Sequence, residues 1–144
     1  MLVAKKGKQF MGLDVQKNSI DIGIIAKDIE AMMKFYDEIL GLDLEATIPM
    51  PGGGTMNRFK VGDSIIKVIA LEPAPSAEAE PGGIRAASGY RYWTIHVPSL
   101  EDIVGKVEAA GGKVVVPIRE IREGVSIAFL EDPDGNWIEL LQNS

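Results

Sequence analysis

Glu131-Asp132-Pro133-Asp134-Gly135-Asn136-Trp137-Ile138-Glu139-Leu140-Leu141 is the stretch on which the reading of this chain turns. Asp-Pro-Asp-Gly is turn chemistry, because proline fixes φ while glycine and asparagine tolerate the left-handed region. The alternating Trp-Ile-Glu-Leu-Leu that follows reads as a strand with Trp137, Glu139 and Leu141 on one face. A carboxylate therefore points the same way as two large apolar groups. Two readings are open. Either that face is wet and Glu139 is an ordinary surface acid, since ionised carboxylates are rarely buried unpaired, or Glu139 serves a purpose a core strand does not need.

Upstream of this strand, Lys113 to Val116 and Ser126 to Leu130 read as two more strands. Before them Leu100, Ile103, Val104 and Val107 make a helical stripe, opened by the capping-box-like pair Ser99 and Asp102 and closed at Gly111-Gly112. Tyr90 to Val97 is the strand leading into that helix. The same order occurs earlier. Ile20 to Ala26 reads as a strand, Asp28 caps a helix carrying Ile29, Met32, Met33, Tyr36, Ile39 and Leu40, and Gly41 ends it. Strands Leu42 to Ile48, Thr55 to Val61 and Ser64 to Leu71 follow, joined by the turns Pro51-Gly52-Gly53-Gly54 and Gly62-Asp63. The glycine run is no phosphate loop, since neither a GK[ST] sequence nor a helix follows it.

Asp28-Ile29-Glu30 matches Ser99-Leu100-Glu101 at an offset of 71 residues, and Gly41 matches Gly112 at the same offset. Gly62-Asp63-Ser64 matches Asp134-Gly135-Asn136 at an offset of 72. The spacing predicts two βαβββ modules, 19–72 and 89–142, within one domain spanning 19–144. Residues 73–88, rich in Pro, Ala, Glu and Gly, form a linker and a candidate lid; residues 1–18 form an extension without a clear period. Helices interleaved with hairpins can bury themselves only against one face of an antiparallel-rich sheet. The expected class is α+β, with two curved mixed sheets enclosing a cleft.

Phe35-Tyr36-x-x-x-Leu40-Gly41-Leu42 and the DPDGN-x-IEL ending are the motifs through which the chain, from Ser19 to Gln142, resembles the vicinal-oxygen-chelate superfamily of glyoxalase I, bleomycin-resistance proteins and extradiol dioxygenases. The resemblance implies four metal-ligand positions, which fall here on Asp21, Lys67, Tyr92 and Glu139. Only Glu139 keeps the family's usual ligand. A protonated lysine has no lone pair to give and repels a divalent ion, so Asp21 and Glu139 alone are a weak metal pair. The sole histidine, His96, lies roughly 13 Å along the strand from Tyr92 and does not restore the site.

The four positions should nonetheless converge, with the Lys67 ammonium between the carboxylates of Asp21 and Glu139 and with Tyr92 completing the cluster. Arg58 and Trp137 join them as candidate ligand-binding residues. Glu139, Lys67 and Tyr92 are the candidate catalytic groups if the chain is an enzyme. The favoured expectation is a small-molecule-binding protein of the bleomycin-resistance type without a cofactor. The alternative is a lyase, isomerase or dioxygenase of the glyoxalase type, using Zn, Ni, Fe or Mn on Glu139, Asp21 and waters.

Composition narrows the partners. With 21 acids against 15 bases the net charge is −6, the wrong sign for a nucleic-acid face. No apolar run reaches the roughly 20 residues that span a bilayer, and no cysteine is present for a disulfide, thiolate ligand or thiol nucleophile. The expected setting is the cytoplasm, with no membrane and no nucleic acid as partner. The resemblance adds a homodimer.

Overall fold

The computed structural model describes residues 12–144, so the part of the N-terminal extension before Gly12 lies outside the described residues. The elements run β1 (Asp21–Ile25), α1 (Ile29–Met33) continued by a π-helical segment (Lys34–Ile39), β2 (Asp43–Pro49), β3 (Gly54–Val61) and β4 (Ser64–Leu71). A single 3-10 turn, Gly83–Arg85, interrupts the linker. Then come β5 (Tyr92–His96), α2 (Leu100–Ala109), β6 (Lys113–Arg122), β7 (Val125–Glu131) and β8 (Trp137–Asn143).

The strands form two four-stranded sheets ordered β1-β4-β3-β2 and β5-β8-β7-β6, each with one parallel pair at the β1 or β5 edge and antiparallel pairs elsewhere. This is the tandem βαβββ arrangement that the repeat predicts. The pairing confirms the offsets: Gly23 lies opposite Lys67 in module one as Thr94 lies opposite Glu139 in module two. Two boundaries shift. β6 runs on to Arg122, since a hairpin partner continues across from it, and β5 opens only at Tyr92, leaving Tyr90 fully exposed.

The expected pairing of Gly41 with Gly112 is corrected. Each helix has a side-chain cap, Asp28 accepting from Ala31 N at 3.1 Å and Ser99 from Asp102 N at 3.3 Å, and these caps keep the offset of 71. The left-handed residues that end them are Gly41 (φ 72°) and Gly111 (φ 85°), one residue closer together. The first helix absorbs the difference in its π segment, where Leu40 N donates to Phe35 O at 2.7 Å. A π turn holds one more residue than the α turn it replaces. Gly112 has a different reason to be glycine. A Cβ there would come within 2.6 Å of Val107 Cγ1 and 3.2 Å of Ile39 Cγ2, where the ends of the two helices meet.

One core serves both modules. Met32, Phe35, Tyr36, Phe59, Ile66 and Val68 of the first cluster with Leu100, Val104, Val107, Leu130, Ile138 and Leu140 of the second. Because side chains alternate along a strand, burying Ile66, Val68, Ile138 and Leu140 on the helix side turns Lys67 and Glu139 to the opposite, open faces. Those faces carry the predicted site residues.

Candidate functional site

On the open face of module one, Arg58 of β3 lies opposite Lys67 of β4. Lys67 Nζ is 3.5 Å from Asp21 Oδ2, and Lys17 Nζ is 3.0 Å from Asp21 Oδ1. Arg58 Nε is 3.1 Å from Glu45 Oε1. Lys17, Lys67 and Arg58 thus each have an acid beside them. The hydrogen bond from Lys17, then its charge and that of Lys67, hold Asp21 below the ordinary 3.8, with desolvation opposing them.

The open face of module two has a different chemistry. Glu139 lies across from Phe129 on one side and Thr94 on the other, and Thr94 Oγ1 donates to Glu139 Oε1 at 2.7 Å. Phe129 is buried, with Tyr92 edge-on at a centroid distance of 5.3 Å and Trp137 tilted at 5.5 Å. Trp137 Nε1 donates to Glu131 Oε2 at 3.0 Å, which orients the indole, and Lys113 neutralises Glu131 at 3.0 Å. The linker reaches this face. A Cβ on Gly83 would sit 2.3 Å from the indole ring, so only glycine fits there. Arg91 holds the turn by donating to Gly83 O and Glu80 O, both at 2.7 Å.

The structure therefore brings Asp21 to Lys67 and Tyr92 to the neighbourhood of Trp137, but leaves the expected bridge half made. Among the described residues Lys67 pairs with Asp21 and not with Glu139, whose partner is Thr94. Arg58 is committed to Glu45. His96 is exposed at the far end of β5, beside Leu141.

Thr94 and Phe129 were not singled out from the sequence. Phe129 stands 71 residues after Arg58, so the repeat offset that aligns Asp21 with Tyr92 would have put it on this face.

Sequence reading also missed what the DPDGN turn does. Asp132, buried, accepts from Tyr36 Oη at 2.7 Å and from Asn136 N, Asn136 Nδ2 and Asp134 N at 2.9 to 3.2 Å. Asp134 reaches the start of α1, its carboxylate accepting from Lys27 N and from Asp28 N, the latter at 3.2 Å. Trp93 stacks on Tyr36 at 6.5 Å. The turn is thus a seam between the modules. Burial pushes Asp132 up from 3.8 against the pull of its hydrogen bonds, and burial pushes the Tyr36 phenol well above 10.0.

The residues present do not fit a divalent metal. Among the described residues no three His, Cys, Asp or Glu side chains gather closely enough to hold one, and an ammonium occupies the position equivalent to Glu139. Among the same residues no helix is long and apolar enough to cross a membrane.

Two βαβββ modules sharing one core, with their polar residues on the open strand faces, define a glyoxalase-like fold. The family model described as the Glyoxalase/Bleomycin resistance protein/Dioxygenase superfamily matches residues 19–140, and the chain belongs to that superfamily. It is similar to a probable lactoylglutathione lyase of Synechocystis, 32% identical over 121 residues that cover 81% of this chain and 88% of the relative. It is also similar to a lactoylglutathione lyase of Neisseria meningitidis, 28% identical over 117 residues that cover 80% and 83%. A glyoxalase family protein from Bacillus cereus shares the fold at a TM-score of 0.72, with 17% identity over 97% of this chain and 99% of that one.

Proposed function

We propose that this protein binds a small organic molecule at the open strand faces of its two modules, with the superfamily's metal site left incomplete. Asp21, Lys67 and Arg58 supply the polar side, Tyr92 and Trp137 the aromatic side, and Glu139 an acceptor. The observation that carries this reading is the ion pair between Lys67 and Asp21. It sets a cation, already matched to its own acid, at the strand position where a metal site would need a ligand.

A second reading, a divalent-metal-dependent lyase, isomerase or dioxygenase, is favoured by Glu139, which keeps the ligand type, and by the relatives named lactoylglutathione lyase. In that reading Zn, Ni, Fe or Mn is the cofactor, and Glu139, Lys67 and Tyr92 are the groups able to move a proton.

Metal analysis of untagged protein purified without chelators separates the two. The expected result is well below one ion per wild-type chain, with a gain of Zn²⁺ or Ni²⁺ affinity in Lys67→Glu and a further gain when Tyr92→His is added. One tightly bound ion per wild-type chain would replace the first reading by the second. We also propose a homodimer, as the resemblance to the superfamily implies. A monomeric mass by light scattering at high protein concentration would remove that element.

A further inference from the structure

We propose that the open face of module two is a receptor for the ammonium group of a small organic cation, held by Tyr92, Phe129 and Trp137 beside the carboxylate of Glu139. The proposal deepens the small-molecule reading above and rests on it. Among the described residues Lys67 is matched to Asp21 and Arg58 to Glu45 on module one, and Lys113 to Glu131 on module two. Glu139 is half-buried, and no lysine or arginine among the described residues comes within 4.0 Å of it.

Its neighbours are a hydroxyl, which takes Oε1, and large apolar groups: Phe129 across the sheet, and Trp137 and Leu141 along the strand. A carboxylate stripped of part of its hydration in such surroundings favours a cation. A metal ion would need further ligands that this face does not provide. An organic ammonium needs none, because its substituents already fill its coordination. What it gains from is ring surface with a negative face, together with one nearby anion.

The rings are arranged to give that. Phe129 is the buried floor, and Tyr92 and Trp137 rise at 5.3 and 5.5 Å from it, with Tyr92 48% exposed. The indole is held by Glu131 on its nitrogen and by Gly83 against its ring, so it stands ready without needing to be ordered by the ligand.

The test is a titration of the full chain with choline and with 3,3-dimethyl-1-butanol, its uncharged isostere, followed by tryptophan fluorescence and calorimetry, with benzoate as an anionic probe. Choline should bind saturably and perturb Trp137, and the isostere should bind about tenfold more weakly or not at all. Glu139→Gln keeps the size of the side chain and an oxygen for Thr94, and should weaken choline roughly tenfold. Tyr92→Leu, at an exposed position that leaves the core intact, should weaken it several-fold. Equal binding of choline and its isostere, a preference for benzoate, no choline binding up to tens of millimolar, or choline binding unchanged in Glu139→Gln would each overturn the proposal. If a neutral or anionic probe binds, the small-molecule reading survives; if no probe and no member of a wider set of organic ligands binds, that reading falls as well.

Discussion

Module one and module two put different chemistry on one backbone register. At the same place in the central strand module one carries Lys67 and module two Glu139, and at the same place in the edge strand Gly23 stands against Thr94. Around Lys67 the face is ionic, Asp21, Arg58, Glu45 and Lys17 making a run of paired charges. Around Glu139 it is aromatic. The helix sides of the same strands are alike in character, with Ile22, Ile24, Ile66 and Val68 of module one and Trp93, Ile95, Ile138 and Leu140 of module two in one core. Burial against a helix constrains a side chain to be apolar and well packed, whereas the open face is constrained only by what it must bind or pair with. The duplicated modules therefore diverge on the open face and stay alike beneath it.

The seam is where the two modules depend on each other, and Tyr36→Ala is the substitution that should break it. Tyr36 is fully buried, packs on Phe35, Phe59 and Trp93, and donates to Asp132. Its loss should cost about 4 kcal/mol in urea unfolding, in the range found for removing a buried aromatic ring. A cost no greater than that of a surface change would mean that the modules hold together without it.

Tyr36→Phe is the smaller and sharper version, about 1–3 kcal/mol, since it removes only a donor to a buried carboxylate. Its pH dependence has a definite sign. A carboxyl raised on folding contributes stability that is complete below its unfolded value, here 3.8, and is lost as pH rises through the folded value. The Tyr36 hydroxyl favours the charged form, so without it Asp132 is raised further. The cost of Tyr36→Phe should therefore be larger near neutral pH than below pH 3.8. A cost independent of pH would show that Asp132 does not titrate through this bond.

Much of the fold was legible because it repeats. Caps recur at an offset of 71 and turn residues at 72, and a repeat tests itself. The π segment was not legible, because Ile29, Met32, Met33, Tyr36, Ile39 and Leu40 still fit ordinary helical spacing; only the one-residue mismatch between the caps and the glycines Gly41 and Gly111 records it. Of the candidate site, the face assignments of Lys67, Tyr92, Trp137 and Glu139 could be read from alternation. Their partners could not. Whether Glu139 meets Lys67 or Thr94 depends on how the two sheets sit across the seam, and that seam is built by Asp132, Asp134 and Tyr36, residues that read locally as a turn and a core stripe.

The smallest expected effect is that of Lys67→Met, and it tests how open the face of module one is. A lysine buried between two carboxylates would be costly to remove, because it would leave them unpaired. The arrangement found here is milder. The side chains of Lys67 and Asp21 keep 27% and 35% of their exposure, and Lys17, nearer at 3.0 Å, stays on Asp21 after Lys67 is gone. Water and salt screen such a pair, so the melting midpoint of Lys67→Met should be hard to separate from that of the wild type at moderate salt. Methionine also packs well against Ile65 and Ile69, which share this face. Melting curves at low and high ionic strength would check this, with any difference confined to low salt. A large, salt-independent loss would mean that this ion pair is covered in solution, and would turn the open face of module one from a ligand surface into an interface between two copies of the chain.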